Sequence, residues 1–96
     1  MNEDRKTSAE YRADALRKHA DQGFAEAQFS LGFMYENGQG VPQDDAQAVS
    51  WYRKAADQGL ANALYNLGFM YSIGFGVPQD HAQAASWFRR ARGGAA

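Results

Sequence analysis

Histidine, aspartate and serine supply the few positions of this chain where residue type and spacing suggest chemistry. The two histidines, His19 and His81, are far apart in the sequence, and each falls on a polar helix surface. Because a metal site needs several converging ligands, we expect these side chains to be exposed and no metal to be bound. Asp44 and Asp45 could suggest calcium, but helix capping already explains Asp44. No serine–histidine–aspartate arrangement or paired carboxylate indicates catalysis.

A G-x-G segment occurs twice, as GQGV at 38–41 and GFGV at 74–77. A phosphate-binding loop of this kind needs a preceding strand, a following helix and a third glycine. Here the segment follows a predicted helix and lacks the third glycine, so a turn with positive φ is the favoured interpretation. The sequence therefore predicts a protein that is not an enzyme and has no cofactor, and its function must be sought on its surface.

An internal duplication organises the whole chain. The segment LGFMYENGQGVPQD at 31–44 recurs 36 residues later as LGFMYSIGFGVPQD at 67–80, and ADQG at 20–23 recurs at 56–59. About two-thirds of the positions are identical between the two copies. Self-similarity at a period of 20–50 residues indicates stacked repeats. A binding surface would then be one that the stacked units present together.

Hydrophobic periodicity and capping signals predict five helices. Thr7 and Glu10 form a capping box before the first helix, and Asp44 and Asp80 are N-cap residues before the third and fifth. The predicted helices span about 8–21, 24–37, 45–57, 60–72 and 81–92. The corresponding division of the chain is a disordered N-terminus at 1–6, an N-terminal capping half-repeat at 7–23, repeat one at 24–59, repeat two at 60–92 and a disordered tail at 93–96.

Two glycines lie inside predicted helices. Gly32 and Gly68 occupy equivalent positions beside the apolar stripes of the second and fourth helices. Glycine within a helix costs about 1 kcal/mol relative to alanine. We therefore expect a neighbouring helix to approach closely at both positions.

Composition excludes several classes of protein. The 96 residues have a formal net charge of −1 with acids and bases interspersed, which argues against nucleic-acid binding. There is no cysteine, so disulfides and thiolate metal sites are excluded, and a reducing compartment is compatible. The N-terminus shows no signal peptide, and no apolar run approaches the length of a membrane span. We expect a soluble cytoplasmic protein.

The segment ADQGFAEAQFSLGFMYENGQGVPQDDAQAVSWYRKAA at 20–56 resembles a Sel-one-like repeat, a 36-residue relative of the tetratricopeptide repeat. The motifs L-G-x-x-Y, G-x-G-V and W-[YF]-x-[KR]-A occur in both copies at the family's spacing, and the resemblance covers 20–91. It implies an all-α, right-handed α/α solenoid in which the first helix of each hairpin lines a concave face. It also implies a bacterial, non-catalytic adaptor that binds a peptide or protein partner. The cysteine pair of one disulfide-rich branch is absent.

The first helices of the two hairpins carry the candidate binding residues. Four aromatic side chains lie away from the core stripe on the helical wheel, at positions that face the groove in tetratricopeptide-like solenoids. Aromatic anchors with a polar rim are typical of peptide-binding surfaces. The alternative is that these rings pack between adjacent first helices. The full set of candidates is Glu26, Phe29, Phe33, Asn37, Asn62, Tyr65, Phe69 and Ile73.

The C-terminal helix suggests a second surface. Trp87 and Phe88 have no following helix to cover them, so weak homo-oligomerisation through this helix is predicted. The alternative is a longer parent chain that continues the solenoid. Two other functions remain open: a self-associating structural scaffold, and a hydrolase, because some cysteine-rich relatives are linked to cell-wall-type substrates. No nucleophile–base pair supports the hydrolase.

Overall fold

Five α-helices joined by short loops form the described part of the chain, which is residues 5–93 of a computed structural model. They are α1 Ser8–Asp21, α2 Ala25–Asn37, α3 Asp45–Asp57, α4 Ala61–Ile73 and α5 His81–Ala91, and this part of the chain contains no strand. The prediction of five helices is confirmed, and each boundary lies within one residue of its predicted position. The predicted disordered ends fall mainly on 1–4 and 94–96, outside the described residues.

The helices begin where side chains satisfy free backbone amides. The Thr7 hydroxyl accepts a hydrogen bond from the Glu10 amide, and the Glu10 carboxylate accepts one from the Thr7 amide at 2.7 Å. Asp44 and Asp80 each accept a hydrogen bond from the backbone amide three residues later, at 3.1 and 3.0 Å. These contacts confirm the predicted caps. They also explain why the boundaries are readable from local sequence.

The helices pack as two hairpins and a leading helix, in chain order. Helix α2 packs against α3 and α4 against α5, while α1 packs on α2 and α3 on α4. The result is an elongated body of 58 × 24 × 15 Å. One apolar core runs along it, and its largest fully buried side chains are Leu31, Tyr52, Leu67 and Met70. Since each unit buries its apolar face only against its neighbours, the stack behaves as a solenoid.

An arginine–tyrosine contact recurs at each step between units. The Arg17 guanidinium donates to the Tyr35 hydroxyl, and 36 residues later Arg53 donates to the Tyr71 hydroxyl. Each guanidinium also lies near the ring of its tyrosine, at 5.8 and 5.6 Å from the centroid. The contact joins α1 to α2 and α3 to α4, so it couples neighbouring units.

The two helical glycines allow an aromatic ring to lie against the helix backbone. A Cβ atom on Gly32 would lie 2.8 Å from Cδ1 of Tyr52 and 3.2 Å from the Ala48 carbonyl oxygen. A Cβ atom on Gly68 would lie 2.8 Å from Cε1 of Phe88. The two distances of 2.8 Å to the aromatic rings are shorter than van der Waals contact allows. The predicted close approach of a neighbouring helix is therefore confirmed.

Alanine at these two glycines should have unequal effects. Tyr52 is fully buried and its hydroxyl donates to Glu36 at 2.6 Å, so its ring cannot move away from a new methyl group. Phe88 is partly exposed and has no hydroxyl contact to hold it, so its ring can shift more easily. We expect Gly32→Ala to lower the free energy of unfolding by about 2 kcal/mol. In Gly68→Ala, the gain of about 1 kcal/mol in helix propensity should offset most of the cost.

Urea denaturation of the two variants and the parent protein measures this difference. Equal losses of stability in both variants would show that the ring at 52 is no more constrained than the ring at 88.

Candidate functional site

The four predicted aromatic anchors differ in exposure. Phe33, Tyr65 and Phe69 expose 46%, 60% and 49% of their surface, whereas Phe29 is partly buried. Phe33 and Phe69 occupy equivalent positions in the two repeats. Leaving large apolar rings in water at repeated positions is typical of an interaction surface.

Two of the anchors also support the hairpins. The ring of Phe29 lies 5.5 Å from that of Tyr52, and the ring of Tyr65 lies 5.2 Å from that of Phe88, measured between centroids. Each contact joins the first helix of a hairpin to the second helix of the same hairpin. The expected alternative, packing between adjacent first helices, therefore does not describe these two contacts. Phe29 is partly buried within its hairpin, while Tyr65 remains mostly open to water.

The remaining candidates surround these rings on α2 and α4. Glu26, Asn37 and Asn62 are exposed, and Ile73 exposes 37% of its surface. The Asn37 amide donates to the Phe33 carbonyl at 2.9 Å, which holds that side chain near the end of α2. Whether these positions bind a partner stays a prediction.

Phe75 is a further exposed aromatic residue that the sequence analysis did not select. It exposes 50% of its surface in the loop after α4. Its equivalent in repeat one is Gln39, which lines a pocket together with Phe33 and Met34. The sequence does indicate this difference, because glutamine at position 39 is replaced by phenylalanine at the equivalent position 75 in otherwise similar loops. We call the exposed apolar side chains of α2, α4 and the loop after α4 the aromatic face: Phe33, Tyr65, Phe69, Ile73 and Phe75.

Two adjoining pockets lie beside the aromatic face, where α1 meets α2. Their volumes are about 450 and 620 Å³, and Leu16 and Ser30 line both. We call them together the N-terminal trough. Arg12, Phe29 and Phe33 line the first of them, and the others in that pocket are Met34 and Gln39. The sequence analysis assigned α1 only a capping role and missed its contribution to this concave surface.

The polar groups of the described residues were also compared with the candidates for metal binding. No group of three or more histidine, aspartate or glutamate side chains is placed to hold a metal ion in residues 5–93. Both histidines are exposed, as predicted. Burial, with help from the hydrogen bond to Glu36, raises the pKa of Tyr52 well above 10.0. This phenol therefore stays protonated at neutral pH and acts as a structural donor.

The C-terminal helix presents less aromatic surface than its sequence suggests. Trp87 is only 8% exposed and belongs to the apolar core, and the guanidinium groups of Arg53 and Arg90 lie 5.6 and 4.7 Å from its ring centroid. Phe88 is partly exposed. Self-association through these two residues stays a prediction, and Phe88 is the more accessible of the two.

The sequence pattern of the Sel1 repeat matches residues 25–60 and 61–92, which together cover α2 to α5. The chain belongs to the Sel1 repeat family. The resemblance noted from the motifs is thereby confirmed, with its all-α solenoid fold. Sel1 repeat proteins are generally non-catalytic modules for protein interaction or scaffolding.

Three solved structures share this Sel1 repeat fold. The protective antigen c5321 of uropathogenic Escherichia coli is 52% identical, with a TM-score of 0.82 over 83% of this chain and 17% of that protein. A Sel1 repeat protein from Oxalobacter formigenes is 41% identical, with a TM-score of 0.87 over 91% of this chain and 36% of that protein. Helicobacter pylori cysteine rich protein B is 27% identical, with a TM-score of 0.82 over 88% of this chain and 63% of that protein.

A curated relative extends the comparison to a fungus. The chitin synthase regulator SKT5 of Malassezia restricta is 42% identical over 37 residues, which are 38% of this chain and 3% of that protein. This Sel1 repeat chain spans less than two thirds of the length of each of these relatives. None of its five described helices has the length and apolar character that crossing a bilayer requires.

Proposed function

We propose that this Sel1 repeat chain is a non-enzymatic adaptor that binds a peptide or protein through the aromatic face and its polar rim. The observation that carries the proposal is the exposure of Phe33 and Phe69, at 46% and 49%, on equivalent positions of α2 and α4. Neither ring fills the core, because the buried positions of these helices are occupied by side chains such as Leu31 and Leu67, both at 0% exposure.

The arrangement suits a partner that supplies apolar side chains at repeated intervals. Aromatic anchors account for much of the binding energy at protein interfaces, and a polar rim around them excludes water. Glu26, Asn37 and Asn62 are the exposed polar groups of that rim. The formal net charge of −1 favours a protein partner over a nucleic acid. A cytoplasmic location remains a prediction.

Replacing both Phe33 and Phe69 by alanine should abolish partner capture while the protein stays folded. Loss of two anchors typically weakens an interface by about 100-fold or more. The measurement is affinity capture from the native host, followed by titration of the purified partner. Tyr11→Ala is the matched control, because Tyr11 is 59% exposed on α1 and lies outside the aromatic face.

Circular dichroism must show the same helical signal for the double variant and the parent. Full capture by a folded double variant would show that another surface binds the partner.

The second candidate is a self-associating scaffold, and one comparison within the chain favours it. Arg53 on α3 donates to Tyr71 on α4. Its equivalent on α5 is Arg89, which is exposed. The outer side of α5 thus carries positions that a further helix would cover. Sedimentation over a range of concentrations separates this function from the adaptor.

A further inference from the structure

A polar contact joins α2, α3 and α4 in the middle of the stack. Glu36 of α2 is partly exposed, and its Oε1 accepts a hydrogen bond from the Tyr52 hydroxyl of α3 at 2.6 Å. Within residues 5–93 that hydrogen bond engages Oε1 only, and Oε2 has no donor there. Burial and the hydrogen bond to Glu36 raise the pKa of Tyr52, while Asn66 of α4 acts on the same hydroxyl in the opposite direction. We call Glu36, Asn66 and the Tyr52 hydroxyl the polar centre.

Exposed rings of the aromatic face flank the polar centre on both first helices. Phe33 precedes Glu36 by three residues on α2, and Phe69 follows Asn66 by three residues on α4. Tyr65 lies four residues before Phe69. Residues three or four apart are neighbours on a helix surface. A partly exposed carboxylate thus lies among large rings that are open to water.

The repeat does not need the polar centre in order to fold. In repeat two, Ser72 and Phe88 stand where Glu36 and Tyr52 stand in repeat one. The ring of Phe88 packs against Gly68 as Tyr52 packs in its own hairpin, but without a hydroxyl. A buried tyrosine hydroxyl adds a polar group that has to be hydrogen-bonded. The pair in repeat one therefore fixes a carboxylate at a place where the fold alone requires none.

The charges of the chain are segregated between its first and second helices. Lysine and arginine are absent from α2, α4 and the loops that follow them, at 25–44 and 61–80. All ten lysine and arginine residues lie on or beside α1, α3 and α5. The acidic residues of the two ranges are Glu26, Glu36, Asp44 and Asp80. The surface that carries the aromatic face is therefore acidic.

The bases of the neighbouring helices do not neutralise Glu36. Arg53 donates to the Tyr71 hydroxyl. Arg12 lines a pocket between α1 and α2, on the side of α2 away from α4. The single ion pair within residues 5–93 is Lys6–Asp14. Glu36 therefore has no cationic partner in that part of the chain.

We propose that the aromatic face binds a basic segment of a partner protein, with one arginine or lysine side chain paired to Glu36 and packed against the adjacent rings. A cation is attracted to the face of an aromatic ring, and its pairing with a carboxylate adds geometric selectivity. The inference rests on the proposed adaptor function, because Phe33 and Phe69 contribute to both. The helices of the polar centre lie between α1 and α5, so the site is formed entirely by described residues.

Fluorescence anisotropy with two labelled peptides tests the assignment. Each is a short capped peptide in which leucines flank a central residue, which is arginine in one peptide and glutamate in its twin. We expect the parent protein to bind the arginine peptide about tenfold more tightly or better. The preference should fall as the ionic strength is raised, because salt screens the charge pair.

Glu36→Gln removes the charge and keeps an oxygen that can accept from Tyr52. Circular dichroism and urea denaturation should therefore match the parent. We expect the variant to bind the arginine peptide about tenfold more weakly and to lose the preference over the glutamate peptide. Asp57→Asn is the matched control, because it makes the same change in net charge at the exposed end of α3. It should leave both affinities unchanged.

Asn66→Lys is a second variant that does not alter Glu36 itself. It places a cation of the chain beside the carboxylate, so it should also remove the preference for the arginine peptide. Equal effects of Glu36→Gln and Asp57→Asn would show that binding follows net charge alone, and would overturn the assignment of Glu36.

Three further outcomes also overturn the assignment. Equal binding of both peptides by the parent, or binding of neither, would refute the cation site, and the adaptor function would stand if Phe33 and Phe69 still control partner capture. Dimerisation of the parent that Glu36→Gln abolishes would show that a second copy is the occupant. If partner capture is also independent of Phe33 and Phe69, the adaptor function falls with the cation site.

Discussion

Alanine in place of Gly76 should lower the free energy of unfolding by about 3 kcal/mol or more. Gly76 has φ of +74°, a conformation that costs a residue with a Cβ about 1–2 kcal/mol. A Cβ atom there would also lie 2.4 Å from the Asp45 carbonyl oxygen and 2.9 Å from Cγ2 of Val49. The backbone oxygen belongs to the first turn of α3, so the loop itself has to move. Overpacking of this kind adds about 1–3 kcal/mol.

Gly59→Ala separates the two causes. Gly59 also has positive φ, +89°, but a Cβ atom on it would meet no atom within 4 Å. It should therefore lose only the conformational part, about 1–2 kcal/mol. Urea denaturation of both variants measures the difference. Equal losses of stability in the two variants would show that the loop at Gly76 has enough space beside α3 for an added methyl group.

The result bears on how the repeats are coupled. Gly40 makes the same approach to α1, where a Cβ atom would lie 2.3 Å from the Ala9 carbonyl oxygen. The second glycine of each G-x-G segment thus lets the loop of one repeat cross the start of the preceding second helix. The sequence analysis predicted the positive φ correctly. The close contact with the neighbouring unit was not visible in the sequence.

Leu67→Ala should remove about 3–5 kcal/mol of stability, although it deletes a smaller side chain than Phe69→Ala does. Leu67 is 0% exposed in the centre of the core, so its removal leaves a cavity. A domain of this size has a total stability of about 5–15 kcal/mol, and the loss is a large part of it. Because repeat stability is a sum over neighbours, we expect repeat two to unfold first.

Phe69→Ala, two residues along the same helix, is the control. Its ring is 49% exposed, and a substitution at such a site should cost less than about 1 kcal/mol. Thermal and urea unfolding followed by circular dichroism measure both variants. A loss at Phe69 as large as that at Leu67 would mean that this ring belongs to the core. The aromatic face would then lose one of its two equivalent anchors.

Exposure on the aromatic face could not be ranked from the sequence. Phe29 and Phe33 are four residues apart on the same helix and have similar positions on a helical wheel. Only Phe29 meets the ring of Tyr52, so it is partly buried while Phe33 is not. The wheel describes one helix, whereas exposure depends on which neighbour lies against it. The same holds for Trp87, which is buried in the apolar core and has Arg53 of α3 beside its ring.

The sequence by itself determined the five helices, their boundaries and the repeat, because capping groups, glycines and apolar periodicity act within a few residues of the chain. Only the tertiary structure decided which equivalent positions are covered and which are open. Leu16 and Tyr52 have the same place in the repeat, yet α2 covers Tyr52 and the N-terminal trough opens over Leu16. Burial is a property of the neighbouring helix as well as of the residue. The groove between α1 and α2 is therefore not visible in the repeated sequence, because it depends on how these two helices lie against each other.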